Sequence, residues 1–188
     1  MAKIYVFLAN GFEDIEALAP VDILRRGGQD VVTVSVTGSE YVESAHGVEV
    51  KADVWFSDVE SFDDADLLVF PGGMPGAANL DMHHELGEVL LRHTGRDGLI
   101  GAICAAPLVL GRRGLLEGRR ATCYPGFEQY LEGAEYTREL VTEDGNIVTA
   151  EGPAAAFEFG YRLLARFVSA EQVDALREGM RYKHLMNN

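Results

Sequence analysis

One cysteine sits among side chains small enough to allow nucleophilic chemistry at a tight turn. Cys104 lies within residues 101–106, whose sequence is GAICAA. A nucleophile elbow requires such neighbours, because the sharp turn from strand to helix leaves no room for bulky ones. At a helix N-terminus, the helix dipole and free backbone amides would favour the thiolate and stabilise an oxyanion. The alternative interpretation is that Cys104 is a small buried core residue, as many free cysteines are.

A glycine-rich segment, residues 71–76 with the sequence PGGMPG, could bring backbone amides to the same place. Glycines allow amides to approach a ligand closely, as in phosphate-binding loops. The segment lacks the Lys-Ser/Thr pair of a Walker loop, so nucleotide binding is disfavoured. We interpret it as a donor loop beside Cys104, and a tight turn without a function is the alternative.

A carboxyl group completes the set of candidate reactive residues. Glu16 is close to the border of the apolar stripe of a predicted helix. A carboxyl group that is desolvated near a thiolate has a raised pKa and can stay protonated as a hydrogen-bond donor. Glu13 and Asp14 precede it in the first helical turn, where acidic residues commonly just complement the helix dipole.

The elements that must position these residues alternate between short apolar strands and helices. We predict core strands at 3–8, 30–36, 66–70, 99–103 and 146–149. Helices are predicted at 13–26, 83–94, 105–112, 153–167 and from Ser169 onward, with a polar hairpin over 38–51. This alternation is typical of an α/β, doubly wound, mostly parallel sheet sandwiched by helices, here a single domain over 1–188. Ligands of such sheets bind at the carboxyl ends of the strands, where the thiol, the carboxyl group and the glycine loop would meet.

Composition excludes several classes of partner. The 188 residues carry a formal net charge of −14, which disfavours binding to nucleic acid and to anionic membranes. Neither the N-terminus nor any apolar stretch predicts a secretory signal or a membrane span. Two cysteines without metal-ligand spacing indicate a reducing cytoplasm, and we expect no metal and no cofactor. The helical histidines His83, His84 and His93 are interpreted as solvated.

Several short motifs, taken together, resemble one known family. They are residues 11–16 (GFEDIE), 69–73 (VFPGG), 102–107 (AICAAP), 151–153 (EGP) and 157–159 (FEF). The chain is similar over nearly its whole length to the DJ-1/ThiJ/PfpI superfamily, in the branch of the parkinsonism-associated protein deglycase and its bacterial ThiJ-like relatives. The resemblance implies a flavodoxin-like fold and a homodimer formed through the first helix. Independently, we interpret Val21, Leu24 and Gly27-Gly28 as a second apolar face of that helix.

The resemblance also implies roles for individual residues. Cys104 would be an oxidation-prone nucleophile and Glu16 its protonated hydrogen-bond partner. Gly73, in the loop it forms with Gly72, and Ala105 would supply backbone amides. Arg26 matches an arginine near the family's pocket. His46 stands where some members place an arginine that reaches in from the partner subunit.

Two positions depart from family patterns. Tyr124 stands where members credited with cofactor-free glyoxalase or deglycase chemistry often have a histidine. Ala105 follows the cysteine, where the protease and amidase branches have a histidine, so a peptidase is disfavoured. Cys123 could act as a resolving thiol, although packing beside the sheet is the favoured interpretation.

Two functions remain open at this stage. The first is a cysteine-dependent, cofactor-independent enzyme acting on small 2-oxoaldehydes or their adducts. The second is an oxidative-stress-responsive protective protein or chaperone that senses oxidation at Cys104. Both use the same thiol, so the sequence does not separate them.

Overall fold

The computed structural model describes residues 1–186 as a central seven-stranded sheet flanked by helices. The strands are β1 (Lys3–Leu8), β2 (Asp30–Ser35), β3 (Tyr41–Glu43), β4 (Glu49–Lys51), β5 (Val54–Trp55), β6 (Leu67–Phe70), β7 (Leu99–Ile103), β8 (Arg120–Ala121), β9 (Glu135–Tyr136), β10 (Val141–Asp144) and β11 (Ile147–Ala150). The helices are α1 (Asp14–Arg26), α2 (Gly76–Met82), α3 (His84–Thr94), α4 (Pro107–Gly111), α5 (Ala156–Leu164), α6 (Ala170–Gly179) and α7 (Tyr182–Met186).

The central sheet has the strand order β10-β11-β7-β6-β1-β2-β5. Every neighbouring pair is parallel except β10 and β11, which pair antiparallel. The inner strands β6, β7 and β11 are buried along their whole length, as expected for parallel strands covered on both faces. The predicted α/β, mostly parallel architecture is therefore confirmed.

The five predicted core strands are all present, each within one residue of its predicted ends. The predicted hairpin is the antiparallel pair β3 and β4, and α6 begins with the predicted capping box at Ser169. Two helices are shorter than predicted. Helix α4 covers only Pro107–Gly111, and α5 begins later than predicted, since Pro153–Ala155 forms a separate 3₁₀ turn before it. Helix α2 was not predicted, since its sequence begins inside the glycine-rich segment.

Helix α1 packs against α5, and this contact corrects one interpretation of the sequence. Val21 and Leu24 are buried within the chain, and Gly27 lies against the side chain of Leu164. These residues therefore belong to the chain's own core and do not form a second apolar face. The apolar side chains that α1 does expose are Ile15 and Leu18.

His93 corrects a second interpretation, because it is a core histidine and not a solvated one. Only 1% of it is exposed, and its Nε2 lies 2.9 Å from the carbonyl oxygen of Leu99. A carbonyl oxygen only accepts, so Nε2 carries the hydrogen and donates. His93 continues the buried stripe of Leu86, Val89 and Leu90, a helical spacing that the sequence already contained.

Within residues 1–186, no helix has the length and apolar character needed to cross a bilayer.

Candidate active site at the end of β7

The reactive cysteine lies immediately after the last residue of β7, in a strained turn. Cys104 has a φ of +63°, a left-handed conformation that non-glycine residues rarely adopt. Its backbone is held on both sides, because its N–H donates to Ala150 at 2.8 Å and its carbonyl accepts from Tyr124 N at 2.8 Å. Such backbone strain is typical of functional sites, where the surrounding structure maintains it. The nucleophile-elbow geometry expected from the sequence is therefore present.

Helix α1 supplies the carboxyl group. Glu13 is the N-cap of this helix, and its side chain accepts a hydrogen bond from the amide of Glu16 at 2.8 Å. This cap fixes the first turn and directs Glu16 into the protein, where the residue is fully buried. Both carboxyl oxygens of Glu16 lack a hydrogen bond of standard geometry to any described residue. Burying a carboxyl group that lacks hydrogen-bond partners costs far less free energy when the group is protonated.

Gly72 brings Glu16 and Cys104 together. A Cβ atom at position 72 would collide with Oε2 of Glu16 and would lie 2.6 Å from the Cβ of Cys104. Only glycine leaves room for both side chains. Gly72 therefore allows Glu16 and Cys104 to approach each other closely. The next residue, Gly73, has a φ of +87°, which turns its amide toward the cysteine.

Burial dominates the electrostatics of this pair. It raises the pKa of Glu16 to about 7, although interactions with the Cys104 thiol and the amide of Gly72 oppose the shift. Burial and the carboxyl group of Glu16 also raise the pKa of Cys104, whereas the amides of Gly73 and Ala105 lower it. Because two negative charges cannot both be accommodated here, the two groups act as one acid pair that keeps at least one proton near neutral pH.

The source of thiolate stabilisation differs from the expectation. A helix dipole was expected to favour the thiolate, but α4 has only five residues and begins three positions after Cys104. The stabilising groups are instead the individual amides of Gly73 and Ala105. The structure therefore brings four of the expected residues, Cys104, Glu16, Gly72 and Gly73, together with Ala105 at one place.

The backbone of Tyr124 is hydrogen-bonded to that of Cys104, whereas the residue as a whole is 46% exposed. The ring covers Gly152, where a Cβ atom would lie 3.1 Å from the ring carbon Cδ2. Tyr124 lines a mostly apolar cavity of about 260 Å³, which adjoins the backbone partners of Cys104. The other lining residues are Pro125, Leu140, Glu151, Gly152, Pro153, Ala154 and Ala155. Of these residues, only those of the 151–153 motif were singled out from the sequence.

Arg26 and His46 are not brought to the thiol by this chain. Arg26 follows Glu16 by ten residues on α1, a rise of about 15 Å, and pairs with Asp22 at 2.8 Å. His46 lies at the tip of the β3–β4 hairpin, with its Nδ1 2.8 Å from Oδ2 of Asp14. Their expected roles near the pocket, including the role of His46 across a dimer, remain predictions.

Cys123 is the second free thiol, and it is completely buried. Burial and the carboxylates of Glu128 and Glu151 raise its pKa to about 12. This environment agrees with the interpretation of Cys123 as a packing residue, and its complete burial keeps reagents from the sulfur.

A doubly wound sheet with a strained cysteine after a central strand, a buried carboxyl partner and facing amides defines a class of cysteine-nucleophile α/β proteins. The family model "DJ-1/PfpI family" matches residues 2–166. The chain therefore belongs to the DJ-1/PfpI family, as its motifs indicated.

Individual relatives agree with this assignment. The chain is 35% identical over 169 residues to the Parkinson disease protein 7 homolog of Danio rerio, covering 88% of this chain and 89% of that protein. It is 34% identical over 166 residues to a glutathione-independent glyoxalase of Caenorhabditis elegans, covering 87% of each. The structure of oxidised Toxoplasma gondii DJ-1 superposes with a TM-score of 0.91 at 37% identity, covering 96% of this chain and 98% of that one. Some relatives are longer, and the chain spans 39% of one plant homologue.

Proposed function

We propose that this protein is a cysteine-dependent, cofactor-independent enzyme that converts small 2-oxoaldehydes, or adducts derived from them, to hydroxy acids. The observation that carries the proposal is the contact of the Glu16 carboxyl group and the Cys104 thiol against Gly72. A thiol and a carboxyl group that share one proton supply both a nucleophile and a proton carrier. The relative named as a glutathione-independent glyoxalase supports the same chemistry.

The first step joins the thiol to the aldehyde. Sγ of Cys104 adds to the aldehyde carbon, and the carbonyl oxygen takes up the proton that the pair shares, which forms a hemithioacetal. The amides of Gly73 and Ala105 already act on the sulfur, and they are placed to stabilise negative charge that develops beside it.

The second step is a proton transfer by Glu16, now ionised. Its carboxylate removes the C1 proton of the hemithioacetal to give an enediol, and a proton returned to C2 gives the thioester of a 2-hydroxy acid. Water then hydrolyses the thioester, which releases the hydroxy acid and the Cys104 thiol. The net reaction is an internal oxidation and reduction of the substrate, in which one water is added and no external oxidant is consumed. A carboxyl group with a pKa of about 7 suits a residue that must both give and take a proton at neutral pH.

Proton NMR of purified protein incubated with methylglyoxal in D₂O tests this proposal. Lactate should form with deuterium at C2, because the proton that Glu16 carries exchanges with solvent. Cys104→Ser should form none, whereas Cys123→Ser should retain activity because that thiol is completely buried. Equal lactate formation by the wild type and Cys104→Ser would rule the proposal out.

The second candidate function is redox sensing, and the same contact favours it. Two equivalents of peroxide would convert the neutral Cys104 thiol to a sulfinate, with the release of two waters and one proton. A protonated Glu16 would then donate a charge-assisted hydrogen bond to the sulfinate. The altered charge at the elbow would change a surface that a partner or client recognises. An oxidised structure of the Toxoplasma relative is consistent with this candidate.

A further inference from the structure

We propose that Glu13, Asp14 and His46 form a binding site for one divalent cation of the zinc class. One ligand atom from each of the three side chains lies within 4.8 Å of the other two. This site shares no residue with the catalytic pair and does not depend on the proposed function. The sequence spacing could not reveal it, because His46 and Asp14 are 32 positions apart.

The distance between the two best-placed ligands fits a shared metal. Nδ1 of His46 and Oδ2 of Asp14 are 2.8 Å apart. Ligands that each lie about 2.0–2.2 Å from zinc, at angles near 90–110°, are separated by about 3 Å. A cation could therefore replace the proton between these two atoms with little movement of either side chain.

The backbone already holds the two elements together. His46 is carried by the β3–β4 hairpin, which two backbone–backbone hydrogen bonds fasten to the segment before α1. Gly11 N donates to the carbonyl of Glu43 at 2.8 Å, and Ala45 N donates to the carbonyl of Phe12 at 2.7 Å. The ligands are consequently preorganised, and metal binding would order few additional groups.

Each side chain retains the lone pairs that coordination needs. Glu13 caps α1 through Oε2, so the cap does not use the lone pairs of Oε1. Oδ1 of Asp14 is buried and lacks a hydrogen bond of standard geometry to any described residue.

The composition and openness of the site indicate the kind of cation. One imidazole and two carboxylates are ligands for a borderline metal such as Zn²⁺, whereas Mg²⁺ and Ca²⁺ prefer oxygen alone. The His46 side chain is 68% exposed, so the cation can enter from solvent and can retain water ligands. An open site of this kind binds metal more weakly than a closed structural site.

Isothermal titration of the purified protein with Zn²⁺ tests the proposal. We expect one Zn²⁺ per chain. Replacing a direct ligand, in His46→Ala or Asp14→Asn, should weaken binding by at least the roughly tenfold that loss of an outer hydrogen-bond partner causes. The matched control is His84→Ala, which removes an exposed histidine outside the cluster and should leave binding unchanged.

The Cys104 and Glu16 pair is the competing location, since thiolates also bind zinc. Cys104→Ser should retain Zn²⁺ binding, and the Co²⁺-substituted protein should show d–d absorption without a thiolate-to-metal charge-transfer band. The proposal is wrong if Zn²⁺ fails to bind, if His46→Ala binds as tightly as the wild type, or if Cys104→Ser abolishes binding. Because His46 lies on an exposed hairpin tip, His46→Ala should fold, so the test does not depend on the stability of Asp14→Asn.

Discussion

The Glu16 carboxyl group and the Cys104 thiol meet against the Cα atom of Gly72, where Glu16 is fully buried and Cys104 is only slightly exposed. Helix α1 presents one group and the turn after β7 presents the other, so their contact depends on the packing of two distant segments. Burial disfavours charge on both groups, and two amides partly compensate at the sulfur. The reactivity of the thiol therefore depends on the protonation state of its neighbour.

The two cysteines should differ sharply in reactivity. Burial raises the pKa of both thiols, but Cys104 is 8% exposed and contacts two amides, whereas Cys123 is fully buried. A short pulse of iodoacetamide at neutral pH should label Cys104 first, which peptide mapping would show. Equal labelling, or preferential labelling of Cys123, would contradict the assignment of the nucleophile.

Glu16 should shape the pH dependence of Cys104 alkylation. Below about pH 7 its carboxyl group is neutral and donates to the sulfur, and above that pH the carboxylate disfavours ionisation of the thiol. The wild type should show an inflection near pH 7 that is absent in Glu16→Gln, where the neighbour stays neutral. An inflection that persists in Glu16→Gln would assign the titration to another group.

The same substitutions should change oxidation by peroxide. A protonated Glu16 stabilises the sulfinate, so graded peroxide should bring the wild type mainly to that state. Glu16→Asp withdraws the carboxyl group by one methylene, which should lengthen or break the hydrogen bond. Intact-mass spectrometry should then show resistance to oxidation or different products. Identical oxidation of all variants would leave Glu16 without a role at the sulfur.

Burial of Glu16 should also make stability depend on pH. Its folded pKa of about 7 exceeds its ordinary value of 4.5, so the folded state binds more protons than the unfolded state between these values. This contribution is fully present below pH 4.5 and is lost as pH rises through about 7. Relative to wild type, Glu16→Gln should gain up to about 3 kcal/mol over that range, measured by urea unfolding. A constant difference would contradict the raised pKa.

Gly72 should tolerate no side chain. In Gly72→Ala the new Cβ would collide with Glu16 and crowd Cys104, so the pair must separate. We expect about 1–3 kcal/mol of destabilisation, as for overpacked cores, together with slower alkylation of Cys104. Gly38→Ala is the matched control, because nothing lies within 4 Å of a Cβ placed there. Equal reactivity of the two variants would show that close approach at Gly72 is unnecessary.

The predicted homodimer can be tested through the side chains that α1 exposes. Light scattering at micromolar concentration should give about twice the chain mass of 20.5 kDa. Leu18→Asp should shift the mass toward the monomer if α1 lies in the interface, because a buried unpaired charge is costly. A monomeric wild type would remove the dimer and, with it, the role of His46 in a partner subunit.

Much of the site could be predicted because its signals are local. The small residues around Cys104, the paired glycines and the capped first turn of α1 are short segments whose chemistry can be read directly. The parallel sheet then brings the three segments together, since each follows the carboxyl end of a strand or begins the next helix. The mostly parallel pairing of the strands was predictable from their alternation with helices.

The remaining features depend on contacts that a linear pattern does not contain. Val21 and Leu24 could not be assigned to the core until α5 was known to cover α1. The pairing of Asp14 with His46 requires the hairpin to fold back on the helix start. His93 is different, because its helical spacing from the buried leucines and valine of α3 was present in the sequence. Its polar side chain led us to interpret it as solvated.

Steady-state turnover of methylglyoxal by the metal-free purified protein tests the central claim most directly. The wild type and Cys123→Ser should produce lactate at similar rates. Cys104→Ser should lose at least roughly 10³-fold in kcat/KM, as expected when a covalent nucleophile is removed. Turnover that survives in Cys104→Ser, or its absence from the wild type, would contradict a catalytic role for the elbow.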